Sequence, residues 1–263
     1  MGVPYAEVIG DPIAHSRSPD LHRGWLAELG LAGDYRATRI SSSELDDYLD
    51  LRRQDPDWRG CNVTRPLKQA MFERIDSAAP EAALILAVNT VTPGRSGALH
   101  GRNTDVEGVT GALRGLVEPG ARIALIGAGG AARAAAFAIR DYSPSAFYLL
   151  SRRDDPARAL LRDLGLAGEV LPIDTVPAVD LFINASPRTG PWDLSALRPN
   201  AVILDMVYQP VETELLQTAR SMGFRCVDGL AMLEHQARGA FEAFFGACPP
   251  SGSDAAVTVQ SRT

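Results

Sequence analysis

Lysine is almost missing from this chain. All but one of its 26 basic residues are arginine, and Lys68 is the exception. Cysteine occurs three times in 263 residues, at Cys61, Cys226 and Cys248, without CxxC spacing. So sparse and scattered a set argues against a disulfide framework or a cysteine-built zinc site, and it suits a reducing cytoplasm. The four histidines, His15, His22, His100 and His235, lack metal-ligand spacing such as HExxH, so no metal is expected. Long hydrophobic runs are also lacking. The longest stretch without a polar side chain, 123–132, is far short of the ~20 residues a helix needs to cross a bilayer. Glu7 and Asp11 precede any apolar stretch, so no secretory signal is expected. Finally, there is no excess of positive charge. A net charge of -6 argues against a nucleic-acid or anionic-membrane partner.

What is present is an ordinary globular composition, 46% hydrophobic and 22% charged, which excludes a disordered, collagenous or coiled-coil chain. The length suits one large domain or two modest ones. The single lysine raises its own question. A guanidinium practically cannot give up a proton and an ammonium can, so Lys68 is a candidate proton donor rather than one more surface base.

Strand-like and helix-like segments alternate along the chain. Strands are expected at 5–10, 35–40, 61–64, 98–101, 122–126, 146–151, 180–184, 202–206 and 225–227. Helices are expected at 18–29, 43–53, 105–116, 130–140, 212–222 and 229–245, the first with Ser18 as its N-cap and Pro19 at its first position. The apolar stretch 82–91 fits neither period. Glu118-Pro119-Gly120 punctuates the chain, and the alternation restarts beyond it. Such alternation implies an α/β fold with parallel sheets covered on both faces. The tail after Cys248, with its Pro, Ser and Gly, is expected to be poorly ordered.

The most legible motif is Gly127-Ala128-Gly129-Gly130-Ala131-Ala132, between an apolar strand and an Ala-rich helix. That is the context of a dinucleotide-binding turn. Gly127 permits the tight bend, Gly129 lets the backbone approach a pyrophosphate, and Ala132 allows helix and strand to pack closely. The helix N-terminus then offers N–H groups to the phosphates. The next strand ends in Ser151-Arg152-Arg153, with no carboxylate at its tip for a ribose 2′-hydroxyl. Two guanidiniums suit a 2′-phosphate, so NADP is favoured over NAD.

The first half carries many uncharged polar residues beside apolar strands. Ser16 and Ser18 stand two apart, as do Asn62 and Thr64, which alternation directs to one face. Asn89-Thr90 and Asn103-Thr104-Asp105 each follow an apolar or strand-like segment. Singly these are ordinary turn residues; together they suit a small polyhydroxylated ligand.

In this order the motifs resemble the shikimate dehydrogenase family over nearly the whole chain. The landmarks are Ser16-Arg17-Ser18-Pro19, Asn62-Val63-Thr64-Arg65-Pro66-Leu67-Lys68, Ala87-Val88-Asn89-Thr90 and Asn103-Thr104-Asp105. They continue with the Gly127 turn, Ser151-Arg152-Arg153, Asn184-Ala185-Ser186, and Asp228-Gly229-Leu230 running to Gln236. The resemblance implies a substrate-binding α/β domain at 1–104 and 228–263 and a Rossmann domain at 105–227. A C-terminal helix would return to the first domain, and substrate would lie between the two. It further implies NADPH-dependent reduction of 3-dehydroshikimate to shikimate, on the route to chorismate and the aromatic amino acids, by a cytoplasmic monomer or homodimer. Lys68 and Asp105 match the family's catalytic pair, Lys68 as proton donor and Asp105 orienting it and binding a hydroxyl. Ser16, Ser18, Asn62, Thr64, Asn89, Tyr208 and Gln236 would hold the substrate. Gly127 to Ala131 with Ser151, Arg152 and Arg153 would hold the nucleotide, and Gly229 and Met232 would border the nicotinamide.

Three positions depart from the family pattern: Leu86 where Gly is usual, Arg153 where Thr is usual, and Ser186 for Thr. Three other readings stand beside it: an enzyme for quinate or aminoshikimate with NAD as its alternative cofactor, a Rossmann binding module without chemistry, which leaves the hydroxyl-rich first half unexplained, and a sensor without turnover. The last is expected to lack Lys68, Asp105 or the glycine turn, all of which are present.

Overall fold

The computed structural model describes residues 2–188 and 191–251. Most of the tail expected to be poorly ordered, the part beyond Ser251, lies outside the described residues. Its first part is described, and Arg238 donates to the carbonyls of Pro249 and Pro250.

The chain divides into two compact units, residues 1–104 with the segment from Gln236 onward, and residues 105–235. The second boundary falls inside the last helix rather than at 227/228, where the sequence placed it. The reason is what the helix buries. Met232 belongs to the core of the second unit, whereas Ala240 and Phe244 belong to that of the first.

The first unit runs β1 (Tyr5–Gly10), α1 (Ser18–Glu28), β2 (Asp34–Arg39), α2 (Leu45–Arg53), β3 (Trp58–Val63), α3 (Lys68–Phe72), β4 (Ser77–Ala78), α4 (Pro80–Ile85), β5 (Thr90–Pro93) and β6 (Leu99–Arg102). Its sheet has the order β2-β1-β3-β5-β6-β4. Strand β1 pairs parallel with β2 and β3, but β5 runs antiparallel to both β3 and β6. The sheet is therefore mixed, where the sequence pattern implies a parallel one. The tight Gly94–Ala98 connection, closed by Gly94 N–H to Ala98 O at 2.7 Å, leaves no room for a crossover, so β5 and β6 form a hairpin. Ser18 is the first helical residue of α1 rather than its cap; the Ser16 hydroxyl accepts its N–H at 3.3 Å.

Both faces of the first sheet are covered. Along β1, Tyr5 and Ile9 enter one cluster, and Ala6 and Val8 the other. Glu7 is fully buried on this strand and is held by Thr38 Oγ1, Tyr48 Oη at 2.9 Å and Arg52 Nε at 2.6 Å. Such a set of partners is what permits a carboxylate in a core. On the other face, the one Ala6 and Val8 enter, α1 supplies His22 and Trp25, β2 supplies Tyr35, and the helix at 229–245 supplies Phe241 and Phe244, forming one aromatic nest.

The second unit runs α5 (Asp105–Ala112), β7 (Arg122–Ile126), α6 (Gly130–Ala138), β8 (Ala146–Ser151), α7 (Asp154–Asp163), β9 (Glu169–Pro172), β10 (Leu181–Asn184), β11 (Val202–Asp205), α8 (Glu214–Ser221), β12 (Arg225–Val227) and α9 (Gly229–Phe245). All its strand pairs are parallel, in the order β9-β8-β7-β10-β11-β12. Counted from β7 this is 3-2-1-4-5-6, the doubly wound dinucleotide-binding order. Period-two alternation explains its continuous apolar strands. Ile123 and Leu125 pack on one face, and Ala124 and Ile126 on the other.

Candidate active site

In the first unit, topology alone gathers the polar residues at one sheet edge. The parallel strands β1 and β3 both end there, and Ser16, Ser18, Asn62, Thr64 and Lys68 lie at or just beyond those ends. Because β5 runs the other way, its start lies beside the end of β3, with Asn62 opposite Thr90. Because β6 reverses again, its end lies beside the start of β5, with Arg102 opposite Thr90. The antiparallel hairpin therefore delivers Asn89 and the Asn103–Thr104 pair to the edge where β3 delivers Asn62. Lys68 opens α3, and its carbonyl accepts Val88 N–H at 3.0 Å, which ties the lysine to the same edge.

Hydrogen bonds join these residues. Asn62 is buried; its Nδ2 donates to Asn89 O at 3.1 Å and to Thr90 Oγ1 at 3.0 Å, and its Oδ1 accepts from Tyr35 Oη at 2.5 Å. The Asn62 amide is thus engaged by the protein at both ends. Asn89 Oδ1 accepts from Thr90 Oγ1 at 3.0 Å and from Thr104 N–H at 2.8 Å. Its Nδ2 donates to Thr104 Oγ1 at 3.0 Å and to Gln236 Oε1 at 3.3 Å. Of the expected ligand groups, Ser18, Asn62, Asn89 and Gln236 are buried, and Ser16, Thr64 and Lys68 are half-buried. Sequence reasoning missed Tyr35 as a member of this network, and it gave Thr90 and Thr104 no role; only their position beside Asn89 and Asp105 signalled them.

In the second unit, Gly127 follows β7 with φ +113°, in the left-handed half of the backbone map. A Cβ there would lie 3.1 Å from Ala185 O, so the turn hugs the end of β10 as no other residue allows. Nothing lies within 4 Å of a Cβ built on Gly129. Open space stands in front of the N-terminus of α6, which no side chain caps. Ala132 is fully buried against the turn. This fits a pyrophosphate received on backbone N–H groups. At the tip of β8, Arg152 and Arg153 are exposed, and among the described residues the nearby Asp154 pairs with Arg158 at 3.4 Å. The Ser151 hydroxyl donates to Arg153 O at 2.9 Å and accepts Arg153 N–H at 3.2 Å, which shapes the turn. The strand tip therefore carries two exposed guanidiniums, and no acidic side chain stands among Ser151, Arg152 and Arg153.

The ends of β10 and β11 carry a second buried network. Asp205 accepts from Asn184 Nδ2 at 3.0 Å, Thr213 Oγ1 at 2.6 Å and Val207 N–H at 3.0 Å. Burial pushes its carboxyl pKa up, against these three hydrogen bonds that lower it. The network fixes the start of the Val207–Tyr208 segment. Gly229 lets α9 begin against that segment, since a Cβ would fall 2.7 Å from Val207 O. Asp228 Oδ1 accepts the N–H groups of Leu230 and Ala231, both at 3.0 Å, and so starts the helix. Met232 is buried in this unit's core, and Tyr208 is half-buried. Ser186 serves its turn without the missing methyl; its hydroxyl donates to Asn184 Oδ1 at 2.8 Å. Asp105 is buried and opens the unit as the first residue of α5. Among the described residues no group of three or more His, Cys, Asp or Glu is placed to hold a metal ion, and no helix is long and apolar enough to cross a membrane.

Residues 8–91 match the family model described as the shikimate dehydrogenase substrate binding domain. The chain is 45% identical over 258 residues to a protein of Sphingopyxis alaskensis named shikimate dehydrogenase (NADP(+)), covering 95% of this chain and 94% of that protein. Among solved structures it is similar to a shikimate 5-dehydrogenase from Thermus thermophilus in complex with NADP(H) and shikimate. The TM-score is 0.86 at 34% identity, over 97% of this chain and 99% of that one. A ligand-free 5-ketofructose reductase of a Gluconobacter strain is also similar, with TM-score 0.86 at 25% identity and 99% of both chains covered.

Proposed function

The chain belongs to the shikimate dehydrogenase family, and we propose that its reaction, the reversible NADPH-dependent reduction of 3-dehydroshikimate to shikimate, draws its substrate groups from the edge of the first sheet and its cofactor groups from the Gly127 turn. NADP is its cofactor and the activity is that of an oxidoreductase of aromatic biosynthesis. The observation that carries the site assignment is the convergence of Asn62, Thr64, Lys68, Asn89 and Gln236 on one sheet edge. Amide and hydroxyl groups match a triol, and a single ammonium stands among them.

Bound NADPH supplies hydride to the C3 carbonyl of the substrate. Lys68 donates the proton that the developing alkoxide requires, and its charge stabilises that alkoxide as it forms. Asp105 is the second member of the pair and accepts a hydroxyl hydrogen of the substrate. Ser16, Ser18, Thr64, Asn89, Gln236 and Tyr208 hold the remaining hydroxyls and the carboxylate, and Asn62 keeps Asn89 in place from behind. Gly127, Ala128, Gly129, Gly130 and Ala131 seat the pyrophosphate, Arg152 and Arg153 clamp the 2′-phosphate with Ser151 shaping their turn, and Gly229 and Met232 border the nicotinamide. A cytoplasmic location belongs to the same reading, supported by three unpaired cysteines. So does a monomeric or homodimeric state, which light scattering reads.

The test is spectrophotometric. Purified protein with shikimate and NADP is expected to reduce the nicotinamide quickly, with NAD or quinate slowly, and with 5-ketofructose not to oxidise NADPH. Preference for quinate or NAD would move the chain to a sister activity, and binding of shikimate without turnover would defeat the assignment of Lys68 and Asp105.

A further inference from the structure

In the second unit, Arg188 lies just beyond the end of β10, and its guanidinium reaches the segment that leaves β9. Nη1 donates to Ile173 O at 2.7 Å, Nη2 pairs with Asp174 Oδ1 at 2.7 Å, and Cζ lies 4.4 Å from the centroid of the Trp192 ring. Its own N–H donates to Ser186 Oγ at 3.3 Å, and Ser186 is held in turn by Asn184. In the strand order β9-β8-β7-β10, two strands stand between the segments so joined. Three strand spacings amount to about 14 Å, so the join has to pass behind the ends of β8 and β7. It does so on one face. Ile173 and Trp192 pack with Ile126 and Leu150, whereas α6 and α7 pack on the opposite face through Ala132 and Leu160. The join thus backs two turns from the face opposite to α6: the Gly127 turn after β7, and the Ser151 turn after β8, where Ser151 pairs with Pro172. A dinucleotide lies outside the carboxyl ends of the strands where the strand order reverses, here between β7 and β10. With its pyrophosphate at Gly127 and its 2′-phosphate at Arg152, its adenosine half falls between the Ser151 turn and the join.

We propose that Arg188 is a positioning residue for the adenosine half of NADP: it pins the segment after β10 to the segment after β9 and so builds the wall against which the adenine and its ribose pack. The inference rests on the proposed seating of the pyrophosphate at Gly127 and of the 2′-phosphate at Arg152. Arginine suits the task, because one planar fork can meet a carbonyl and a carboxylate while lying on an indole face. Of its three partners only Asp174 is well exposed, so the carbonyl bond and the ring contact carry most of the hold. The wall meets the base and the ribose and not the 2′-phosphate, so its loss weakens NADP and NAD alike.

The test is steady-state kinetics on Arg188→Ala, Arg188→Lys and Arg152→Ala, with thermal melts of each, and with AMP and adenosine 2′,5′-bisphosphate as inhibitors competing with NADP. Arg188→Ala is expected to raise KM for NADP and for NAD, and the inhibition constants of both nucleotides, by a common factor of about five to ten, with kcat and KM for shikimate within about twofold of the parent. Arg188→Lys keeps the charge without the fork and guards against a poorly folded alanine variant; it is expected to show the same pattern at about threefold. Arg152→Ala is expected to weaken the bisphosphate and leave AMP unchanged, which tells the two arginines apart. Unchanged KM values for both cofactors in both Arg188 variants would overturn the proposal. A rise confined to NADP and the bisphosphate would also overturn it, by making Arg188 a ligand of the 2′-phosphate. So would an equal rise in KM for shikimate, since a general loosening would then be the cause. If Arg152→Ala leaves the bisphosphate constant unchanged, the reading of the β8 tip fails first and this inference falls with it.

Discussion

His22 lies flat against Tyr35, with ring centroids 4.0 Å apart and planes 15° from parallel, and neither of its ring nitrogens has a hydrogen-bond partner. The histidine is fully buried and serves as an aromatic plate. Burial alone pushes its pKa down to about 3, because the cation has no partner there.

The pH dependence of stability follows from that plate. The folded-state pKa is below the unfolded value of about 6.5, so the unfolded chain binds the extra proton. His22 therefore favours the fold above about pH 6.5 and withdraws that support as pH falls toward 3, at about 1.4 kcal/mol per pH unit. His22→Phe is expected to flatten the decline in melting temperature between pH 6.5 and 4.5 without loss of stability at pH 7.5. Parallel declines for the parent and the variant would contradict this.

Lys68→Ala is expected to lower kcat by about a hundred- to ten-thousand-fold with a much smaller rise in KM. A change in KM alone would demote the residue to binding. Because it is the only lysine, an amine-acylating reagent has one side-chain target besides the α-amino group. Inactivation by such a reagent, slowed by shikimate and mapped by peptide mass spectrometry to Lys68, is the expected outcome.

Arg152→Ala is expected to raise KM for NADP about ten- to a hundredfold, the scale of a lost charge-assisted hydrogen bond. KM for NAD is expected to stay within about twofold. Equal effects on both cofactors would mean that the arginine does not read the 2′-phosphate. Arg153→Ala, one residue on and also exposed, measures the share carried by the second guanidinium.

Leu86 sits at φ 57° and ψ 35° as the left-handed cap of α4, with 40% of its surface exposed. A bulky side chain is costly there, and glycine is the residue that adopts this conformation freely. Leu86→Gly is expected to stabilise the protein by about 0.5–1 kcal/mol, a rise of about 2 °C in melting temperature, with kcat unchanged. A fall in melting temperature would mean that the leucine's packing outweighs its backbone strain.

The elements that were legible in the sequence are those whose apolar pattern is clean. Strands β1, β7, β8 and β12 and helix α9 have the expected bounds to the residue. What was missed lacks such a pattern. Helix α7 begins in a charged run with Pro156 in its first turn, and it reads as a basic loop although Ala157, Leu160 and Leu161 are buried at helical spacing. Strand β9 is a four-residue edge ending in a proline, and α3 is a five-residue helix. The stretch 82–91 resisted assignment because it holds the end of α4, a left-handed leucine and the start of β5. The individual polar residues of the site could be picked out, but their wiring could not. The bond from Asn89 to Gln236 spans 147 positions, and that from Tyr35 to Asn62 spans 27. Local pattern carries no information about either.

The aromatic nest of the first unit also constrains the order of events during biosynthesis. Its floor is His22, Trp25 and Tyr35, and its cover is Phe241 and Phe244, made about 200 residues later. As the ribosome extends the chain, the stretch 105–235 is complete before that cover emerges. The later-encoded unit is thus in a position to fold first, and the N-terminal one must wait, partly open, until the segment with Phe241 and Phe244 emerges. A nascent chain arrested after residue 235 is expected to carry a protease-resistant dinucleotide-binding unit behind a protease-sensitive N-terminus.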